Sequence, residues 1–440
     1  MIAIVASRAD CASELIREHL LDVADWRARE DPARPDSEGG STYHTLETET
    51  TSFELRTFEA WHLELEGVAE AFSEPDLVVF ASRHSGETGP LLTAHFTGNF
   101  GPAEFGGEEG ELAAAAPAAH KRLLENFREH APDGYEVGME CTHHGPTSVG
   151  VPSLFAELGS DEAQWEDDAG ARALARSVLD LEGGAHQERQ VVAFGGGHYV
   201  PRPERVVRET PWAVGHIGAD WCLEAMGALD PDVIRQAFEQ SGAELAVIDG
   251  DRPELESVIE ELGYRVVGET WLREVGDRDL ELVERLESEL GSVEEGLRFG
   301  EGEGEAFAVE PLPVELLETA RPIDSEAVRG AVERHTVAFD TTENGSEIGE
   351  RAAFAGANDR EALLDDFVAL LDREYEVERG SEDIRIRERA FDPEKAATLG
   401  VPEGPAFGKL ASGEAVEVDG RTIEPEAVTS ERVRELSYRA

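Results

Sequence analysis

Two hydrophobic rhythms alternate along most of this chain. Met1-Ile2-Ala3-Ile4-Val5-Ala6 opens it as a strand, and Asp10 is placed to cap a helix running to about Trp26, with Leu15, Ile16, Leu20 and Val23 on one face. Residues 29–51 are polar, carry Pro32, Pro35 and Gly39-Gly40, and read as a loop or insertion. Ser52–Phe58 alternates as a half-buried strand should. Leu77–Ala81 is a continuous apolar run, the mark of a strand buried on both faces, and a shorter run follows at 91–94. Residues 111–129, rich in Ala and Leu, predict a helix with Pro117 in its first turn or at a kink.

The rhythm continues past a short strand at 135–139. Val151–Leu158 reads as a strand, and Asp161 with Gln164 forms a capping box for a helix over 162–182. Strands at 191–194, 213–217 and 245–248 alternate with helices at 231–241, which has Pro231 in the favoured first position, and 253–262. This succession predicts an α/β fold, with a three-layer α/β/α arrangement in the first part of the chain.

All six Trp, all three Cys and twelve of the thirteen His precede residue 275. The expected division is therefore a catalytic domain over 1–275, an acidic helical and Gly-Glu linker over 276–305, and a smaller α+β domain over 306–440. The last contains a helix at 359–373, a strand at 384–388 and a hairpin turned at Asp419-Gly420. No internal repeat is evident.

Charge changes the picture of the surface more than that of the fold. The formal net charge is −56, and Lys121, Lys395 and Lys409 are the only lysines. A uniformly acidic, Arg-for-Lys surface on a foldable chain reads as adaptation to strong salt, where at about 1 M the Debye length falls to roughly 3 Å and self-repulsion is screened. No apolar run approaches the roughly 20 residues of a membrane span. The first strand lacks the basic start of a signal peptide, so a cytoplasmic protein is expected. Cys11, Cys141 and Cys222 lack the spacing of a disulfide framework or zinc knuckle. Cys141 beside His143 is either a nucleophile or a small buried filler, the commoner role of a free Cys.

Four loops carry the candidate chemistry, each putting histidine directly after an apolar run: His84 in Ser82–Gly86, His95 in His95–Asn99, His143 and His144 in Glu140–Thr147, and His198 in Gly195–Tyr199. Loops at the carboxyl ends of neighbouring parallel strands converge on one crevice, which would gather five histidines and Glu140. Imidazole and carboxylate without a thiolate cluster suit a catalytic zinc with an open position. Such an ion brings the pKa of bound water to about 7, leaving Glu140 or a histidine off the metal to take the proton. Any one of these histidines alone is more often structural, and spacing does not single out the ligands. Thr97 and Asn99 offer donors to an ester oxyanion, and Gly196 and Gly197 expose backbone N–H groups to a phosphate or carboxylate. A tight turn accounts equally for both stretches. His216 in Gly215-His216-Ile217 is either a support behind the ligands or a packed core histidine.

As a set, SRHSGETGPLLTAHFTGN (82–99), ECTHHGPTSV (140–149), VPSLFAELGS (151–160), GGGHYVPR (195–202) and VGHI (214–217) resemble the archaeal and plant type of D-aminoacyl-tRNA deacylase over roughly residues 1–270. The resemblance implies a phosphorylase- or peptidyl-tRNA hydrolase-like fold and zinc-dependent hydrolysis of the ester between a D-amino acid and tRNA, a chirality proofreading reaction. It implies His84, His95, His143 and His198 as metal ligands for one or two Zn2+, and Glu140, His144 and Thr97 as catalytic groups. Asn99, Gly196, Gly197, His216 and the phosphate-facing Arg83 and Arg202 are then substrate-binding. The expected partner is tRNA charged with a D-amino acid, with no membrane, no obligate protein partner and a monomeric state. Residues 399–428 resemble a short stretch of ribonuclease Z, readable as a tRNA-contacting module or a structural hairpin. Two other readings remain open at this point: a zinc amidase or peptidase on small acyl substrates, and a non-catalytic tRNA-binding protein with structural zinc.

Overall fold

The computed structural model describes residues 1–181, 189–380 and 383–438. By backbone proximity the chain divides into two compact units, Met1–Asp277 and Arg278–Ala440.

The first unit holds two sheets. Its strands are β1 Ile2–Ser7, β2 Arg27–Asp31, β3 Ser41–Glu47, β4 Ser52–Phe58, β5 Leu77–Arg83, β6 Leu91–His95, β7 Glu136–Met139, β8 Ser153–Gly159, β9 Gln190–Phe194, β10 Ala213–Gly218, β11 Leu245–Ile248 and β12 Arg265–Val266. Eight form one sheet in the order β2-β3-β4-β1-β5-β8-β6-β7, and four form the parallel sheet β10-β9-β11-β12. In the large sheet β4, β1, β5 and β8 run parallel, and β1 and β8 are buried along their whole length, as continuous apolar runs require. The α/β class follows directly.

Strand direction departs from the sequence expectation. β6 pairs antiparallel with β8, and β7 parallel with β6, so the strands carrying His95 and Glu140 run against the strand carrying His84. The His95 and Glu140 loops thus follow two parallel neighbours, as expected, whereas the His84 loop follows a strand of opposite direction and the His198 loop a strand of the other sheet.

Three local differences have physical causes. Residues 27–47, expected as a loop, contain the antiparallel pair β2–β3 at the sheet edge; both faces of β2 meet solvent, so no apolar alternation marks it. The Ala-rich helix begins only at Pro117, because residues 112–115 pair with Gly98 and Ser153 and because proline suits a first helical position. The helix expected over 162–182 is two, Glu162–Trp165 and Asp168–Leu179, since Asp167 caps a new start; residue 182 lies outside the described residues. Asp10 caps Cys11–Val23 by accepting from the N–H groups of Ala12 and Ser13, as its position predicts.

The second unit contains a four-stranded antiparallel sheet (298–299, 308–311, 338–342 and 347–354) and a three-stranded one (376–379, 383–391 and 429–437). Its core gathers Leu316, Val332, Phe339, Leu364, Phe367 and Ile384. Gly300–Gly304 lies against residues 336–337: Gly300 and Gly302 donate to the carbonyls of Val337 and Thr336, an approach that a side chain on Gly300 would block. Asp419 and Gly420, both at positive φ, turn the hairpin between 416–418 and 421–423.

Candidate active site

The central loop joins the two sheets of the first unit. Glu140 N–H donates to Ala94 O at the edge of the large sheet, Cys141 N–H to His198 O and Thr142 N–H to Ile217 O. Three successive residues thus tie β6 to the loop after β9 and to β10, which brings His198 beside the large sheet. His216 supports this link from behind. Fully buried, it contacts Thr142 Oγ1 through Nδ1 at 3.0 Å and donates from Nε2 to Ala113 O at 2.8 Å; Thr142 Oγ1 in turn receives Ile217 N–H.

The next turn aims the histidines. His144 sits at φ +49, a backbone region costly for a side-chain-bearing residue and concentrated at functional sites. Gly145 follows because a Cβ there would lie 2.4 Å from Gly107 N. His95, His143 and His144 cluster with ring centroids 4.2 to 4.8 Å apart. Each directs Nδ1 at a backbone carbonyl: His95 to Phe96 O (3.0 Å), His143 to Cys141 O (2.9 Å) and His144 to Gly145 O (2.8 Å). A carbonyl only accepts, so Nδ1 carries the hydrogen and Nε2 is left as the ligating nitrogen in all three. His95 Nε2 is buried without a hydrogen-bond partner among the described residues.

A second group adjoins the first. His84 Nδ1 lies 3.2 Å from Glu140 Oε1 and 3.5 Å from Glu157 Oε2, and His95 Nε2 lies 3.6 Å from Glu157 Oε1. His198 Nε2 donates to Glu140 Oε2 at 2.7 Å. His84 needs the bare backbone of Gly159, where a Cβ would come within 2.5 Å of its own. Burial opposes charge on His84, but Glu140 and Glu157 outweigh it and raise its pKa to about 11. Burial alone would lift both carboxyls. The imidazoles instead hold Glu140 well below its ordinary range (His198 and His84) and Glu157 at about 2 (His84 and His95). Burial holds His143 far below its usual value and His144 at about 4. His95 is raised, with burial opposing and Glu157 favouring its charge.

Two cavities meet at this wall, and His143, His144, His198 and Phe105 line both. One, of about 360 Å³, is bounded further by Phe100, Pro102, Trp221 and Ala225. The other, of about 490 Å³, reaches Asp10, Trp61, Arg83, His84, Glu140 and Glu157.

Of the residues expected from sequence, the structure brings together His84, His95, Glu140, His143, His144 and His198. It groups His144 with the imidazoles and His84 with the carboxylates. Arg83 and Asn99 line the cavities. Thr97 is buried, its hydroxyl unpartnered among the described residues, and it lines neither cavity. Asn99 commits its side-chain amide to Gly106 O and Glu108 O and its backbone N–H to Glu111 O, so its donors build the loop. Gly195 and Gly196 adopt positive φ against Asp249, a turn made for packing; Gly196 and Gly197 line neither cavity. Arg202 donates to Ile248 O and faces Asp249 and Glu269, away from the histidines. Cys141 is fully buried, its pKa raised by the Cys222 thiol and by burial; its Sγ lies 3.6 Å from His198 Nδ1, and with His143 and His198 it forms a third group of possible ligands among the described residues.

Glu157 was not anticipated. Its signal was present: a single carboxylate inside a strand otherwise apolar and wholly buried. The exposed aromatics Trp61, Phe105, Tyr199 and Trp221 around the cavities were also unread.

Comparison with known proteins now decides the family. A profile described as D-aminoacyl-tRNA deacylase matches residues 71–267, which include all four histidine loops. A protein of that name from Halorubrum lacusprofundi is 53% identical over 98% of this chain and 96% of its own, and one from Natronomonas pharaonis is 52% identical over 100% of both. This chain belongs to the D-aminoacyl-tRNA deacylase family. A deacylase of Methanococcoides burtonii, at 31% identity, still spans 100% of this chain and 96% of its own, so the second unit is shared beyond the two more similar relatives. A crystal structure titled as a conserved protein of unknown function aligns at 27% identity with a TM-score of 0.53, covering 60% of this deacylase-family chain and 94% of the solved one.

Proposed function

We propose that this protein hydrolyses the ester joining a D-amino acid to the 3′ end of tRNA, with zinc held by His95, His143 and His144. The single observation carrying the site assignment is the common posture of those imidazoles: each fixes its Nδ1–H on a backbone carbonyl and keeps Nε2 for a ligand. One ring nitrogen from each comes within 4.8 Å of the others, and His95 Nε2, 3.6 Å from Glu157 Oε1, is buried without a hydrogen-bond partner among the described residues, so the donor set would suit zinc. Bound there, zinc supplies an acidified water and polarises the ester carbonyl. On this reading His144 joins His95 and His143 as a ligand, and His84 and His198 leave the set of four that the resemblance implied.

The protein's own groups handle the protons. Glu140 is anionic and buried, and accepts the proton of the attacking water. Glu140 then returns that proton to the departing 3′-oxygen, while His198, whose Nε2–H donates to the carboxylate, holds it in place at the wall of both cavities. His84, positively charged between Glu140 and Glu157, keeps two carboxylates ionised inside the protein.

The net charge of −56, with lysine only at 121, 395 and 409, supports a working environment of molar salt. Among the described residues no helix is long and apolar enough to cross a membrane. The test uses purified protein in molar KCl with D-tyrosyl-tRNA, L-tyrosyl-tRNA and D-tyrosine amide, with and without chelator. Chelator-sensitive release from the D-ester alone is expected. Equal cleavage of both tRNA enantiomers would overturn the reading, and cleavage of the amide alone would point to an amidase.

A further inference from the structure

We infer that the two cavities divide the substrate between them. The larger takes the terminal nucleotide of the acceptor end, with its phosphate on Arg83, and the smaller takes the amino-acid side chain. This assignment rests on the ester-hydrolase reading above and adds which part of the substrate each wall receives.

Arg83 stands apart in a very acidic chain. Arg56, Arg202, Arg205 and Arg273 are bound to carboxylates. The Arg83 guanidinium instead lies between two indoles, 4.9 Å from the Trp61 ring and 4.7 Å from the Trp165 ring, and makes no ion pair among the described residues. Both indoles are pinned: Trp61 Nε1–H donates to Ala9 O and Trp165 Nε1–H to His84 O. The nearby Asp10 carboxylate is engaged by the N–H groups of Arg83, Ala12 and Ser13. A cation held on aromatic faces, its guanidinium N–H groups in no ion pair among the described residues and only the charge of Asp10 near it, is a ready anchor for a phosphate, and the exposed Trp61 is a platform for a base. Among the described residues Arg83 is the one arginine or lysine that lines either cavity.

The smaller cavity has the opposite character. Phe100, Pro102, Phe105, Trp221 and Ala225 give it apolar walls, and Glu104 at its edge repels phosphate. Because the imidazole cluster forms the shared wall, an ester carbonyl held there necessarily points its alcohol into one cavity and its acyl side chain into the other. Carboxylates line both, Glu104 the smaller and Asp10, Glu140 and Glu157 the larger, so the Arg83 guanidinium and the Trp61 face, found in the larger alone, decide which.

Two D-tyrosyl esters test the division, one on the 3′-hydroxyl of adenosine and one on the terminal adenosine of cytidylyl-(3′→5′)-adenosine, which adds the phosphate. With the full-length, metal-loaded protein in molar KCl, the phosphate-bearing ester is expected to have a kcat/KM roughly tenfold higher. In Arg83→Gln that ratio should fall toward one, and Arg83→Lys should restore part of it. Ala225→Trp should reduce D-tyrosyl relative to D-alanyl adenosine hydrolysis by roughly tenfold, leaving the phosphate ratio intact. A phosphate advantage that survives Arg83→Gln, or an Ala225→Trp variant that loses it while keeping side-chain selectivity, would overturn the assignment. Binding of AMP against adenosine, followed by tryptophan fluorescence, checks the nucleotide half without hydrolysis. Arg83-dependent AMP preference supports that half even if neither ester is cleaved, a result that would instead count against the hydrolase reading; equal binding of AMP and adenosine counts against the nucleotide assignment itself.

Discussion

The two adjoining clusters at the centre of the first unit are built from the same residue types and differ in what each leaves unsatisfied. Around His84, one imidazolium lies within 3.5 Å of two carboxylates, and His198 donates a hydrogen bond to one of them. Around His143, burial keeps the rings of His143 and His144 uncharged, and their hydrogens are spent on carbonyls. The first cluster spends its polar atoms on ion pairs and hydrogen bonds among its own members; the second keeps lone pairs for something else. His95 belongs to both, because Glu157 favours its protonated form while ligation requires the free Nε2. Proximity alone would make both groups metal sites, and the hydrogen-bond inventory separates them.

Substitutions should widen that separation in a definite order. His143→Ala removes a proposed ligand, and single-turnover hydrolysis of D-tyrosyl-tRNA should fall by about 10,000-fold, several kcal/mol of lost polarisation. Glu140→Gln removes the proposed proton acceptor without emptying the imidazole cluster. A loss of roughly 100- to 1,000-fold, with metal retained, is expected from parallel rate and metal assays. Glu157→Gln only loosens the carboxylate support of His84 and His95, which should cost about 10- to 100-fold in activity or metal affinity. If Glu157→Gln proves as damaging as His143→Ala, the two clusters act as one.

The smallest effect lies just outside the site. His120 is fully enclosed, its ring 4.8 Å from Phe96, and burial lowers its pKa to about 4. The unfolded chain, with an ordinary histidine value of about 6.5, takes up the proton first. Stability is therefore complete above about pH 6.5 and declines as pH falls toward 4, by up to about 1.4 kcal/mol per pH unit for one such group. His120→Leu should make the melting temperature less steep over that interval, and an unchanged slope would show that His120 does not carry it.

Much of the fold could be read because its central strands are buried on both faces. β1 and β5 open as continuous apolar runs and β8 is one broken by Glu157, while Asp10, Asp161 and Pro231 mark helix starts through local hydrogen bonding and backbone geometry. Strand direction was not legible. The reversal of β6 and β7 comes from how the crossovers pack, and local pattern carries no trace of it. The histidine loops were legible as chemistry but their division of labour was not, since Nδ1 and Nε2 are told apart only by what the folded backbone places beside them. Arg83 and Arg202 looked equivalent beside their loops, yet one rests between indoles and the other is tied to Asp249 and Glu269. Glu157 was hidden by its setting, because a strand expected over 151–158 takes in one carboxylate without giving it work until its neighbours prove to be histidines.

Metal analysis of dialysed protein tests the central assignment most directly, with Glu140→Gln as the comparison variant. About one zinc per chain should remain bound in the unmodified protein and in Glu140→Gln, and should be lost from His143→Ala and His144→Ala together with D-tyrosyl-tRNA hydrolysis. Full zinc retention by both histidine variants, or undiminished hydrolysis by metal-stripped protein, would contradict a metal held by His95, His143 and His144.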